Sequence, residues 1–111
     1  MKYEVKFFRT SRGDEPVKEY ILNLSEQVRL NIYGCIHTLM TTGRLEMPHG
    51  KKLTGHKWLY EIRYGRQRVI YGVRGSLVVL LNAFMKKTQM TPKKELELAE
   101  KRFVQFLKYG G

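Results

Sequence analysis

A run of five apolar residues at positions 77–81 constrains the fold more than any other part of the chain. A strand with one face in water alternates apolar and polar side chains, because only every second residue is buried. This run is apolar at every position, so it predicts a strand that is buried on both faces. Such a strand lies inside a sheet, with other elements covering both sides.

Alternation with a period of two predicts three more strands. Residues 2–9 form the first, and residues 68–73 run back from a turn at Gly65 towards a second tight turn at residues 74–76. The strand before Gly65 has two different sides: one carries Trp58, Tyr60, Ile62 and Tyr64, and the other carries Leu59, Glu61 and Arg63. Tyr60 and Tyr64 lie on the side of Trp58 and Ile62, and this position favours packing of the sheet over a catalytic role for both tyrosines.

Capping residues and apolar residues at helical spacing predict three helices. Asp14 is the expected N-cap of a short helix that ends at Asn23 or Leu24, and Ser25 caps a second helix that ends at Gly43. Thr91 caps the last helix, with Pro92 at its first position. The faces expected to pack are Val28, Ile32, Cys35, Ile36 and Leu39 in the second helix, and Leu96, Ala99, Phe103 and Phe106 in the last.

These elements predict one α+β domain over residues 1–111. The order is strand, helix, helix, three strands, helix, and the short turns between the later strands make the sheet mostly antiparallel. The single cysteine, Cys35, cannot form an internal disulfide, so the sequence favours a reducing cytoplasm. No apolar run is long enough for a membrane span.

Charge is distributed unevenly along the chain. The 21 Lys and Arg against 10 Asp and Glu give a net charge of +11. Residues 44–94 alone hold 12 of the basic residues and only Glu46 and Glu61 as acids, so they contribute +10 of that excess. A soluble surface explains scattered lysines but not this segregation, which indicates a face that binds an anionic partner such as nucleic acid.

The sequence argues against several kinds of functional site. The three histidines lack the spacing of a metal site, and His37 is expected near the buried side of its helix. Two acids are too few to hold Mg²⁺, and no phosphate-binding glycine loop is present, so we expect neither metal nor cofactor. If the strands are neighbours, their basic residues converge on one sheet surface that suits phosphates and stacked bases.

Four blocks of the sequence carry a family resemblance: KKLTG at 51–55, LYEIR at 59–63, RVIY at 68–71 and LLNAFMKKTQMTP at 80–92. They resemble the RelE/HigB toxin superfamily, most closely its phage-related HigB-like branch. The resemblance implies the toxin of a type II toxin–antitoxin pair. Members typically cleave mRNA in the ribosomal A site and are silenced by a protein antitoxin, which in this branch is usually a HigA-like helix-turn-helix protein.

Residue chemistry suggests how such cleavage would proceed without a metal. The ribose 2′-OH attacks the adjacent phosphate, so the site must take one proton, stabilise the phosphorane and return a proton to the 5′-oxygen. Arg63 and Arg68 are the candidates for phosphate stabilisation, and Lys86 and Lys87 for proton transfer and charge stabilisation. RNA-binding candidates are Lys51, Lys52, Lys57, Arg66, Lys93 and Lys94.

The sequence also departs from the family pattern. RelE-type sites place a tyrosine at the start of the last helix, where this chain has Pro92, and some HigB-type enzymes use histidines near the C-terminal end, where it has none. Either His56, Tyr60 or Tyr64 substitutes for these groups, or the lysines perform all the proton transfer. Two other functions stay open: a gyrase-directed toxin of the ParE type, and a non-catalytic phage or host RNA-binding module.

Overall fold

The computed structural model describes residues 2–53 and 55–110. Thr54, which belongs to one of the quoted blocks, lies outside them. The elements follow in the order β1 (Glu4–Phe7), α1 (Pro16–Leu22), α2 (Glu26–Thr42), β2 (Gly50–Lys52), β3 (Leu59–Tyr64), β4 (Gln67–Arg74), β5 (Leu77–Met85) and α3 (Lys93–Tyr109).

The strands form one sheet in the order β1-β5-β4-β3-β2, in which β1 pairs with β5 in parallel and the other pairs are antiparallel. The predicted α+β class and mostly antiparallel sheet are confirmed. Strand β2 was not among the strands predicted from the sequence. In its register with β3, Lys51 lies opposite Glu61 and Lys52 opposite Tyr60, and β2 forms an edge of the sheet.

The apolar run at residues 77–81 lies in a strand that is buried on both faces, as predicted. Strand β5 lies between β1 and β4, and its side chains fill two separate apolar clusters. Val79 and Leu81 pack with α3, whereas Val78 and Leu80 pack on the opposite face with α1 and α2. The molecule therefore has three layers, with α1 and α2 on one side of the sheet and α3 on the other.

The helices start and end close to the predicted residues, with two shifts at their N-termini. Glu15, not Asp14, is the N-cap of α1, so Pro16 occupies the first position. Pro92, predicted at the first position of α3, is its N-cap in place of Thr91, and the Thr91 hydroxyl donates a hydrogen bond to Glu61. Gly43 ends α2 in a left-handed conformation (φ 77°), as expected for a C-cap glycine.

Two other expectations were wrong. Trp58 was expected within the strand on the side of Tyr60, but it lies before β3 begins at Leu59 and is 52% exposed. His37 lies on the exposed side of α2, one residue beyond the buried Ile36. Cys35 packs against the α2 side of the core but is only partly buried, and that burial raises the pKa of its thiol.

Two glycines provide a matched test of the packing against α3. A methyl group at Gly72 of β4 would lie 2.6 Å from Cε2 of the buried Phe103, whereas one at Gly34 in α2 would meet no atom within 4 Å. We expect Gly72→Ala to lower the free energy of unfolding by about 1–3 kcal/mol through overpacking. Gly34→Ala should raise it by about 0.5–1 kcal/mol, because it removes backbone entropy from the unfolded chain.

Urea denaturation of the two variants checks both signs. Equal effects would show that contact with Phe103 does not limit the volume available at Gly72.

Candidate functional site

An open cleft of about 470 Å³ lies on the α3 side of the sheet, beyond the point where the helix covers it. Thr88, Gln89 and five cationic side chains line it. The cations are Arg63, Arg66, Arg68, Lys86 and Lys87. The structure thus brings together all four residues that the sequence analysis assigned to chemistry. The five cations come from β3, the β3–β4 turn, β4 and the segment after β5.

Strand register explains why the two central arginines meet. Arg63 pairs with Arg68, which in turn pairs with Phe84, so the three side chains share one face of the sheet. Helix α3 crosses that face further along, where Gly72 lies against Phe103. Since α3 begins only at Lys93, the end of the sheet that carries the arginines stays uncovered.

A β-bulge in β5 brings Lys86 to the same face. The register steps from Tyr71↔Leu80 to Ile70↔Asn82, so Leu81 has no partner residue in β4. One extra residue reverses the alternation that follows it. Without the bulge Lys86 would share a face with Leu80 and point towards α1 and α2; with it, Lys86 lies with Phe84 and Arg68, and its backbone N–H donates to the Arg66 carbonyl (2.7 Å).

A buried carboxylate lies beneath the arginines. Glu61 is only 1% exposed, and its Oε1 is 3.7 Å from Nε of Arg63 and 3.7 Å from Nε of Arg68. Its other oxygen accepts a hydrogen bond from the Thr91 hydroxyl (3.1 Å). Buried charges are stable when they are paired and hydrogen-bonded, and here one carboxylate serves both arginines.

The guanidinium of Arg68 is fixed by the backbone around it. Its Nη1 donates to the carbonyls of Gly65 (2.7 Å) and Gln67 (2.8 Å). Its Nε is buried, and no hydrogen-bond partner for it lies in the described part of the chain. Burial lowers the pKa of Arg68, Glu61 opposes that shift and Arg63 adds to it. The group is therefore rigid and oriented before any ligand arrives.

Lys86 is held among like charges. Burial lowers the pKa of its ammonium first of all, and the positive charges of Arg68, Arg63 and Lys51 lower it further, while Glu61 raises it. A lower pKa increases the fraction of neutral amine near neutral pH, which is the form that accepts a proton. This arrangement suits Lys86 to act as a base.

The six predicted RNA-binding residues do not form one group. Arg66 lines the cleft. Lys51 lies opposite Glu61 in the register of β2 and β3, so its side chain is on the same face of the sheet. Lys52 pairs with Tyr60 on the opposite face, and Lys57 lies with its Nζ 5.0 Å from the ring centroid of Trp58. Lys93 and Lys94 are exposed in the first turn of α3.

The three residues considered as substitutes for the missing tyrosine or histidines lie away from the cleft. His56 precedes β3, at the end far from Arg63, and its Nδ1 contacts Glu100 of α3. Tyr60 stacks on Tyr71 and Tyr64 stacks on His49, with centroid distances of 5.5 and 6.0 Å. Both tyrosines pack against the α1/α2 side of the core, as their position in β3 predicted.

Three residues near the arginines were missed as site residues by the sequence analysis: His49, Glu61 and Thr91. His49 lines a hollow of about 240 Å³ next to the cleft, shared with Arg63 and Arg68, and its Nδ1 lies 3.1 Å from the Arg63 carbonyl oxygen. The alternation of β3 already placed Glu61 on the same side as Arg63, so the sequence contained a signal for this pairing of charges. No local signal linked His49 to Arg63 or Thr91 to Glu61, because both contacts form only when segments distant in sequence come together in the fold.

The described residues show two further negative findings. Among residues 2–53 and 55–110, no three His, Cys, Asp or Glu side chains lie together as a metal ion would require. Within the same ranges, no helix combines the length and the apolar character needed to cross a bilayer.

Replacing Glu61 tests its role beneath the arginines. Glu61→Gln keeps the size of the side chain but removes the charge that both guanidinium groups face, so we expect the free energy of unfolding to fall by about 2–3 kcal/mol. Glu97→Gln, the same change at an exposed position of α3, should have little effect. Chemical denaturation measures both, and equal stabilities would mean that the arginines do not need this carboxylate.

The chain matches the model of a known protein family. The family model described as "Phage derived protein Gp49-like (DUF891)" matches residues 19–104, which run from α1 into α3 and include every residue that lines the cleft. No curated protein matches the chain. The matched family lies within the RelE/HigB-like toxin superfamily. Since the match covers most of its 111 residues, the chain belongs to the Gp49-like family of phage-derived proteins.

Proposed function

We propose that this chain is the toxin of a type II toxin–antitoxin pair and that it cleaves mRNA in the ribosomal A site without a metal ion. The Gp49-like family is associated with the toxins of such pairs, which supports the first part. The observation that carries the second part is the convergence of Arg63, Arg68, Lys86 and Lys87 on one open cleft. An HigB-like affiliation within the superfamily is part of the same proposal.

The arginines bind and activate the scissile phosphate. A guanidinium presents its N–H groups in a fixed fork that matches phosphate oxygens, and Arg68 is already oriented by two backbone carbonyls. Negative charge grows on the phosphate as the 2′-oxygen attacks, so preorganised cations stabilise the phosphorane more than the ground state. Glu61 keeps both guanidinium groups in place from below without competing for the open side of the cleft.

The two lysines move the protons. Neutral Lys86 removes the proton of the 2′-OH, the 2′-oxygen forms a bond to phosphorus, and the bond from phosphorus to the 5′-oxygen breaks. The Lys87 ammonium gives a proton to that leaving oxygen. The products are a 2′,3′-cyclic phosphate and a free 5′-hydroxyl, and the net proton balance is zero once the lysines exchange protons with water.

Several features of the cleft support RNA as substrate and an anionic inhibitor. The mechanism needs a 2′-OH, which DNA lacks. The cleft offers five cations to a phosphate backbone, and among residues 2–53 and 55–110 no three His, Cys, Asp or Glu side chains lie together to hold a metal. The same cations fit an acidic segment of the antitoxin, which we propose to be a HigA-like helix-turn-helix protein.

The remaining basic residues have separate tasks in this proposal. Lys51, Arg66, Lys93 and Lys94 contact the backbone of the mRNA near the cleft. Lys52 and Lys57 point elsewhere and contact ribosomal RNA. Each phosphate contact adds about one unit to the slope of log affinity against log salt.

Cleavage in the cell tests the proposal directly. Brief induction should stop growth, and primer extension should reveal breaks within translated codons. We expect Arg63→Ala to slow cleavage about 100-fold or more, and the double variant Lys86→Ala, Lys87→Ala to abolish it within detection. The matched control is Lys101→Ala, Lys108→Ala, which removes two exposed lysines from α3 and should cleave normally.

Normal cleavage by the Arg63 and double-lysine variants would refute the site. DNA damage signalling with intact messages would indicate a gyrase-directed toxin instead. Unchanged growth and intact messages, with salt-dependent RNA binding, would indicate a non-catalytic module.

The pH dependence of cleavage distinguishes Lys86 as the base. Activity should rise with pH as Lys86 loses its proton. The charge of Lys51 lowers the pKa of Lys86, so Lys51→Gln should raise that pKa and move the rising limb to higher pH. Lys52→Gln makes the same change in charge on the opposite face of β2 and should leave the limb in place. Equal shifts in single-turnover pH profiles would argue against a local effect on Lys86.

A further inference from the structure

The β-bulge at Leu81 is held from outside the sheet by helix α3. Nη1 of Arg102 donates a hydrogen bond to the Leu81 carbonyl oxygen (2.8 Å). The next side chain, Asn82, donates from its amide to the backbone carbonyl (3.2 Å) and to Oε1 (2.9 Å) of Glu95. Both residues of the bulge therefore contact the helix, while neither lies in the cleft.

The Arg102 bond satisfies a polar group that the bulge would otherwise leave buried. Leu81 has no partner residue in β4, and its side chain is fully buried. A buried carbonyl without a hydrogen bond costs about 1–3 kcal/mol, so the bulged form needs a donor at this place. Arg102 supplies it, with its guanidinium held 5.3 Å from the ring centroid of Phe8.

The bulge decides which face of the sheet receives Lys86. Leu80 faces α1 and α2, and regular alternation would place every later even-numbered side chain on that face. The extra residue reverses this order, so Asn82, Phe84 and Lys86 lie on the α3 side. Only there does Lys86 face Lys51 of β2, Glu61 and Arg63 of β3, and Arg68 of β4.

We propose that Arg102 is a positioning residue, which keeps Lys86 on the cleft side of the sheet by holding the bulge at Leu81. It touches neither the cleft nor an RNA bound there, and it acts through the backbone of β5. Its effect on cleavage rests on the function proposed above. Its effect on the position of Lys86 does not, and that position is measurable without RNA.

The test follows the titration of Lys86 by NMR. Lysines are labelled by reductive ¹³C-methylation, and the Lys86 signal is assigned from its loss in Lys86→Arg. In Arg102→Met, which keeps a long apolar side chain but has no donor, we expect the Lys86 signal to titrate at higher pH than in the wild type. Lys86 then leaves the cations that depress its pKa. Lys101→Met removes one positive charge from the neighbouring position of α3 and should leave the titration unchanged.

Cleavage kinetics supply the second readout. We expect Arg102→Met to lower kcat roughly tenfold or more and to change KM little, because loss of the base affects proton transfer rather than RNA binding. Arg102→Lys, which restores a donor and a charge, should recover part of the loss. A smaller folded fraction would also lower the apparent kcat, so the rates are expressed per folded molecule, measured by circular dichroism at the assay temperature.

The outcomes separate the two proposals. An unchanged Lys86 titration in folded Arg102→Met overturns the positioning role, whatever the cleavage assay gives. A shifted titration in a protein that cleaves no RNA supports the positioning role and refutes the proposed function. If Arg102→Met does not fold, Arg102→Leu, which has a shorter apolar side chain and likewise no donor, carries the same measurement, and an unchanged titration there is equally contradictory.

Discussion

Repulsion among cations is the constraint that shapes the cleft. Five positive side chains line about 470 Å³ of open space, and two of them, Arg63 and Arg68, are direct neighbours across β3 and β4. A buried carboxylate beneath them, Glu61, makes this arrangement stable. Because Thr91 also binds Glu61, the same anion ties the segment between β5 and α3 to the sheet. The balance leaves the outer side of the cleft positive and available to a phosphate.

The two faces of the sheet differ in what covers them. On the α1/α2 side the helices meet a continuous apolar surface, and aromatic residues such as Tyr60 and Tyr71 stack within it. On the other side, α3 covers only part of the sheet, and charged residues occupy the uncovered end. The position at which α3 begins therefore determines the extent of the cleft. The adjacent lysines of β2 illustrate the division, since Lys51 belongs to one face and Lys52 to the other.

Local patterns were enough to predict most of the fold. The doubly apolar run, the alternation in β3 and the helical spacing in α2 and α3 each report burial directly, and burial dominates the energetics of a chain this size. The concentration of basic residues in positions 44–94 indicated a basic face, and the four catalytic candidates from that segment line the cleft. They could not reveal the pairing of β2, the contact between Thr91 and Glu61 or the approach of His49 to Arg63. Those features depend on register between distant segments, which no single stretch of sequence encodes.

The sequence did not predict the β-bulge, for a related reason. A residue inserted into an alternating strand disturbs the pattern, but one inserted into a strand that is apolar throughout leaves no trace. This has a consequence for how such chains change over time. If Leu81 were deleted, β5 would pair regularly with β4, and Asn82, Phe84 and Lys86 would keep the face that they occupy now. Strand β5 therefore contains one residue more than its pairing with β4 uses. Loss of a single codon there removes the bulge without turning the lysine that follows.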